Sequence, residues 1–284
     1  MKIAYVTTKY NWESFSTLRC GYETLKNFGL NVDIFFDKHP SIFEYDQIWL
    51  MSSGIYLTDI EFAQTKGKVI SFGLSEPCDI AIEKRKNCHI YCSNDYKISQ
   101  KIGCYWFPTS ADLRYHKNLK LNKHIDVLFI GIGNGHPNFP NRLKVVESIR
   151  DSGIRVEVYG DNWPKHIDNH SRINGIELIE KINQSNLMLD VTTSESSMAR
   201  RIFEGLSCGT AILTLNRDDI KQLFVQDKEI FLYSCLDEIP SKIKEILEDK
   251  KNIERVSTNG QKRCIIEHDI SHRIKKLLSY IEGV

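Results

Sequence analysis

Short apolar runs recur along this chain, and each is followed by a stretch with helical spacing. Strand-like runs lie at 2–8, 31–36, 46–51, 68–72, 89–92 and 104–107, with helical stretches at 13–28 and 59–65 between them. The runs are near-continuously apolar rather than alternating, so both faces of each strand must be covered. That is the pattern of parallel sheets with helices packed on either side. It restarts at Ile125, where I-D-V-L-F-I-G reads as a second first strand. Strands at 155–159, 186–191, 210–215 and 230–233 follow, with helices at 142–151, 199–207, 239–248, 253–264 and 270–281. A chain of 284 residues has room for about two domains of ~150 residues. The expected organisation is therefore a first α/β domain over 1–108, a polar linker over 109–124, and a second α/β domain over 125–269.

Composition narrows the classes. Hydrophobic residues make up 41% and charged residues 26%, which excludes a disordered or coiled-coil chain. The formal net charge of +1 is far from that of a nucleic-acid coat protein. There is no apolar run of about 18 residues to span a membrane and no secretory leader, so a cytoplasmic protein is expected. The eight cysteines make no C-x-x-C pair. Cys88-x-x-x-Cys92 lacks the four converging ligands of a structural zinc site, so reduced thiols and no metal are expected.

In open parallel sheets, ligands bind outside the carboxyl ends of the strands, so the residues just after each strand carry the functional reading. Gly131, Gly133 and Gly135 follow a strand and precede a helix, where glycine lets backbone N–H groups approach a phosphate or sugar. Their spacing is G-x-G-x-G, which fails the dinucleotide fingerprint. The stretch D-V-T-T-S-E-S-S-M-A-R-R-I-F-E (190–204) puts a Thr/Ser-rich loop, with Thr193 and Ser194, ahead of a helix opening near Met198. A helix N-terminus favours an anion. Arg201 and Glu204 share a helix face; they suit a diphosphate and a ribose, or else a surface salt bridge. Glu76 and Asp79 follow a strand of the first domain and are the acid–base candidates, against the plainer reading of a turn acid and a helix N-terminal charge. His136 could face the same cleft. Trp163 and Pro164 could bracket a nucleobase. Lys84-Arg85-Lys86 reads as a solvated turn.

From Ile125 onward the chain resembles group 1 glycosyltransferases of the spore-maturation-protein-like branch. The resemblance is carried by D-V-L-F-I-G with Arg142 downstream, V-E-V-Y-G-D-N-W, N-L-M-L-D-V-T-T, R-I-F-E-G-L-S-C-G-T-A-I-L-T and the closing E-H-D-I-S-H-R. The run W-F-P-T-S-A-D-L-R-Y-H (106–116) is similar to the crossing segment of the same proteins. The resemblance implies a GT-B fold: two Rossmann-like domains facing across a cleft, with a C-terminal helix (270–284) crossing back onto the first. It implies a glycosyltransferase, a hexosyltransferase, whose donor is a nucleotide-diphosphate sugar and which uses no further cofactor. Gly131, Gly133, Arg142, Gly160, Thr193, Ser194, Met198, Arg201 and Glu204 would form the donor site, with Arg201 on the diphosphate and Glu204 on the ribose. No D-x-D motif is present, and GT-B enzymes stabilise the leaving diphosphate with a helix N-terminus and basic side chains.

One departure stands out. Where related transferases carry a second Glu, eight residues before the position of Glu204, this chain has Ser196, with Glu195 beside it. A catalytically degenerate nucleotide-sugar-binding protein is the alternative. The acceptor could be a glycan, a protein, a small molecule or modified phage DNA.

Overall fold

The computed structural model describes residues 1–9, 12, 16–52, 54–74, 76–133, 141–192 and 198–283. The chain divides into two units. The first comprises Met1–Asp112 and Ile270–Val284, together with Met198; the second comprises Leu113–Asp269 apart from the short segment around Met198. The boundary at Asp112/Leu113 falls inside the stretch expected to be a solvated linker, yet Ser110, Ala111, Asp112 and His116 are buried.

The first unit carries β1 (Lys2–Thr7), α1 (Thr17–Asn27), β2 (Asn31–Phe36), β3 (Gln47–Leu50), α2 (Asp59–Ala63), β4 (Lys68–Gly73), α3 (Cys78–Lys86), β5 (Ile90–Ser93), α4 (Tyr96–Ile102) and β6 (Tyr105–Trp106). The strands are parallel, in the order β2-β1-β3-β4-β5-β6. On β1, Ile3 and Tyr5 enter one core cluster while Ala4 and Val6 enter another, so the sheet is covered on both faces, as its apolar runs require. The last helix, α11 (Ile270–Gly283), completes the first of these clusters with Ile270, Ile274, Leu277 and Ile281.

The second unit carries β7 (Ile125–Ile130), α5 (Arg142–Asp151), β8 (Val156–Tyr159), β9 (Asn169–His170), α6 (Gly175–Asn183), β10 (Ser185–Leu189), α7 (Arg200–Ser207), β11 (Ala211–Leu215), α8 (Asp218–Leu223), β12 (Phe231–Tyr233), α9 (Ile239–Glu248) and α10 (Lys250–Arg263). Its parallel sheet runs β12-β11-β10-β7-β8-β9. A one-turn π-helix, Cys264–His268, joins α10 to α11.

In both sheets the chain first adds strands on one side and then crosses to the other. The reversal lies between β1 and β3 in the first sheet and between β7 and β10 in the second. Such a reversal opens a crevice at the carboxyl ends of the two strands, because the loops after them diverge.

Lys84-Arg85-Lys86 is no solvated turn. It is the last turn of α3, and Lys84 is buried, with 5% of its surface exposed.

Candidate functional site

At the reversal of the second sheet, the loops leaving β7 and β10 are joined by one side chain. Arg142, the first residue of α5, donates from Nε to the Val191 carbonyl (3.2 Å) and from Nη1 to the Ile132 carbonyl (3.3 Å). Its guanidinium carbon lies 5.7 Å from the centre of the Phe129 ring. Burial lowers the pKa of Arg142, while the nearby Asp190 opposes that shift.

The glycines expected here are required by their own neighbours. A Cβ on Gly131 would lie 2.8 Å from Arg142 Nη1, and one on Gly133 would lie 2.6 Å from the Trp163 ring. Gly160 has φ of +141°, and a Cβ there would run into the Gly131 carbonyl oxygen. Small residues thus let the ends of β7 and β8 close on each other and leave room for Arg142. Trp163 is part of this packing rather than an open nucleobase platform. Its Nε1 donates to the Gly131 carbonyl (3.0 Å), and its ring meets Phe129 edge-on at 5.6 Å.

Beside this crevice α7 begins with two arginines. Its N-cap is Ala199, with no side-chain cap among the described residues and no acid in its first turn. Glu204, one turn on, is wholly buried (0% exposed), because Ile202, Phe203 and Leu206 around it are core residues. The reading of a surface pair with Arg201 is therefore corrected: the acid end is in the interior. Arg201 Nη1 donates to Oε2 at 3.1 Å. Arg200 Nε and His116 Nε2 stand 2.8 and 3.3 Å from Oε1, but neither is aligned as a hydrogen bond to it. Burial alone would raise the carboxyl's pKa; Arg200 and Arg201, helped by His116, hold it well below the usual range instead. Arg142 and Arg201 also feel each other's charge.

The structure thus gathers Gly131, Gly133, Gly160, Arg142, Arg201 and Glu204 in the second unit. Met198 groups with the first unit, where its carbonyl lies 3.5 Å from the Thr109 hydroxyl. Thr193, Ser194, Glu195, Ser196 and His136 lie outside the described residues. Sequence reasoning missed Arg200 as a partner of Glu204. It reached His116 only as part of the crossing-segment resemblance.

The acid–base candidates belong to the first unit. Asp79 is exposed in the first turn of α3. Glu76 is buried, with Lys84 Nζ at 2.5 Å and the Tyr91 hydroxyl at 3.4 Å. Burial raises the pKa of Glu76 despite the lysine. Among the described residues, no cluster of His, Cys, Asp or Glu is placed to hold a metal ion, and no helix is long and apolar enough to cross a membrane.

The family described as glycosyl transferase-like matches residues 142–279. No curated protein matches the chain in sequence. Three solved structures illustrate the fold. HepE of Anabaena, in complex with UDP and glucose, superposes with a TM-score of 0.74 at 11% identity, covering 100% of both chains. Sucrose-phosphate synthase of Thermosynechococcus elongatus gives 0.72 at 10% identity, over 100% of this chain and 99% of that one. BGT of phage T4, in complex with its UDP-glucose substrate, gives 0.60 at 14% identity, over 98% and 96%. At these identities the likeness is one of fold, and the fold is GT-B.

Proposed function

We propose that this chain transfers a sugar, a hexose, from a nucleotide-diphosphate sugar to an acceptor, and that it does so without a metal ion. The observation that carries the reading is the start of α7. A helix N-terminus already bears partial positive charge, so acids are favoured there and cations are not. This one opens with Arg200 and Arg201, has no acid in its first turn, and keeps Glu204 buried beneath the arginines. Two cations at a helix start suit an anion, and a diphosphate that gains charge as it leaves is the anion a glycosyltransferase must hold.

In this reading Arg201 and the first N–H groups of α7 take the diphosphate. Arg142 fixes the crevice between the β7 and β10 loops, and the glycine ends of β7 and β8 admit the nucleotide. Glu204 accepts a ribose hydroxyl on Oε1, the oxygen without an aligned donor; this requires Arg200 to swing aside, since the carboxylate is covered. The donor unit spans 125–269 and the acceptor unit is 1–108 with the helix 270–284. Of the two candidate bases, the exposed Asp79 is accessible to an acceptor hydroxyl, whereas Glu76 is engaged by Lys84. That engagement favours the second reading, a nucleotide-sugar-binding protein without transfer, should Asp79 prove dispensable. HepE and BGT bind UDP or UDP-glucose, which makes UDP-glucose the first donor to try.

The test is a thermal-shift screen of UDP-, GDP-, ADP-, TDP- and CMP-sugars, followed by an assay for release of the free nucleotide. One donor should raise the unfolding temperature and be slowly hydrolysed. A donor that binds without turnover supports the second reading. No shift with any of them removes both.

A further inference from the structure

We propose that His116 is a positioning residue for the arginine that meets the diphosphate; the inference rests on the function proposed above. His116 is not on α7. It sits on the segment between β6 and β7 and is buried to 2% exposure, with Nε2 3.3 Å from Glu204 Oε1. Partly buried hydrogen bonds hold that segment within the second unit on either side of the ring. The Leu113 N–H donates to Asp269 Oδ1 (2.9 Å), the Leu119 N–H donates to Asn183 Oδ1 (2.7 Å), and Asn183 Nδ2 donates to the Lys117 carbonyl (3.1 Å). The backbone around His116 is thus fixed by groups that take no part in the α7 cluster.

The consequence follows from the shape of a carboxylate. Its plane turns about a torsion with broad, shallow preferences, so its orientation is set by its partners. Glu204 divides its oxygens: Oε2 accepts from Arg201, while Oε1 lies between Arg200 and His116. With Arg200 alone on Oε1, that flexible cation can draw the carboxylate plane toward itself and off Arg201. The imidazole, delivered from a fixed segment, presents Nε2 to Oε1 at 3.3 Å as a second polar partner and opposes the turn. His116 therefore acts through Glu204 to set where the Arg201 guanidinium stands. It connects the inter-sheet segment to the diphosphate contact without touching the ligand.

Calorimetry tests this on the full chain, with the nucleoside diphosphate that the wild type binds best among UDP, GDP, ADP and TDP, and with the matching nucleoside. His116→Phe fills the space without an N–H, and His116→Gln keeps a donor. The phenylalanine variant should lose about tenfold in diphosphate affinity, the scale of one misplaced charge-assisted contact. Its nucleoside affinity, which draws on Glu204 through the ribose but not on Arg201, should fall by much less, and the glutamine variant should recover most of the loss. In an Arg201→Ala background His116→Phe should cost nothing more. A diphosphate-to-nucleoside affinity ratio that is unmoved by His116→Phe overturns the inference and leaves the function standing. A wild type that binds none of the four nucleotides overturns both. If the variants do not fold, the wild type is read directly: the ring ¹⁵N resonances of His116 should shift on saturation with the diphosphate, and further than with the nucleoside. Resonances that stay still overturn the inference.

Discussion

Glu76 and Glu204 are both buried carboxylates, one in each unit, yet their surroundings differ in charge balance. Glu76 faces one buried lysine, Lys84, at 2.5 Å, and the pair closes at zero charge. Glu204 faces Arg200 and Arg201 with His116 alongside, so among the described residues two cations meet one acid. The effect on the acids is opposite. At Glu76 burial outweighs the lysine and the pKa rises; at Glu204 the arginines outweigh burial and it falls. A balanced pair ties α3 to the end of β4. Among the described residues, the cations at the start of α7 outnumber the acid, and that is where the proposed diphosphate would bind. The two acids thus differ in charge balance and not in burial.

The sharpest way to break this comparison is to remove one half of the balanced pair. Glu76→Ala removes the carboxylate that meets the buried Lys84 and should cost about 3–5 kcal/mol in urea unfolding, with nucleotide affinity unchanged. Glu76→Leu combined with Lys84→Met should recover most of that. A loss below about 1 kcal/mol, typical of exposed pairs, would mean that Lys84 reaches water.

Arg201→Ala should do the reverse. Diphosphate binding should weaken by roughly 1.5–3 kcal/mol in calorimetry, while the unfolding midpoint hardly moves, because Glu204 keeps Arg200. Unchanged affinity would remove Arg201 from the site.

Lys123 supplies the third case, a half-buried cation whose hydrogen bonds go to neutral acceptors, the Ser185 carbonyl (2.6 Å) and the Thr210 hydroxyl (3.2 Å). Burial pushes its pKa down from 10.5 to about 8. Between those values the unfolded chain binds more protons than the folded one, so stability rises with pH across this window. The cost is present in full below pH 8 and gone above 10.5. Denaturation series from pH 7.5 to 10.5 should show a gain of about 1–2 kcal/mol that Lys123→Met abolishes. A flat profile in the parent chain would show that the ammonium is better solvated than its contacts imply.

The smallest expected effect is none. If arginines and a helix start carry the leaving-group charge, EDTA should leave the transfer rate where it was. A rate that falls and returns with Mg²⁺ or Mn²⁺ would assign that charge to a metal instead.

The strands were legible because parallel strands buried on both faces are written as apolar runs. β2, α5 and α9 coincide with the spans expected from sequence. α3 was not legible, because its pattern is inverted: Ile80 and Ile82 face solvent while Lys84 is buried against Glu76. No periodicity rule places an ammonium inside and isoleucines outside. α6 was hidden by its opening Gly175, at φ of +59°, which reads as a break. At the site, spacing put Arg201 and Glu204 on one face but could not say that the face was interior; burial of Ile202, Phe203 and Leu206 decides that. The glycines were found for a reason that was incomplete, since neighbouring backbone, Trp163 and Arg142 already demand them. Contacts from distant segments, such as His116 on Glu204, leave no local pattern at all.

The return of α11 to the first unit also orders events during synthesis. Its Ile270, Ile274, Leu277 and Ile281 share a core cluster with Ile3, Tyr5, Leu25 and Val32, which are made well before the second unit. The first sheet therefore emerges early but waits, with one face covered only in part by α1, until the second unit has been translated. One core cluster of the second sheet draws on residues 127–256 and includes no residue of α11. The first unit is thus begun before the second and finished after it, and a premature stop near residue 270 would spare that cluster of the second sheet while leaving the first only partly covered and prone to aggregate.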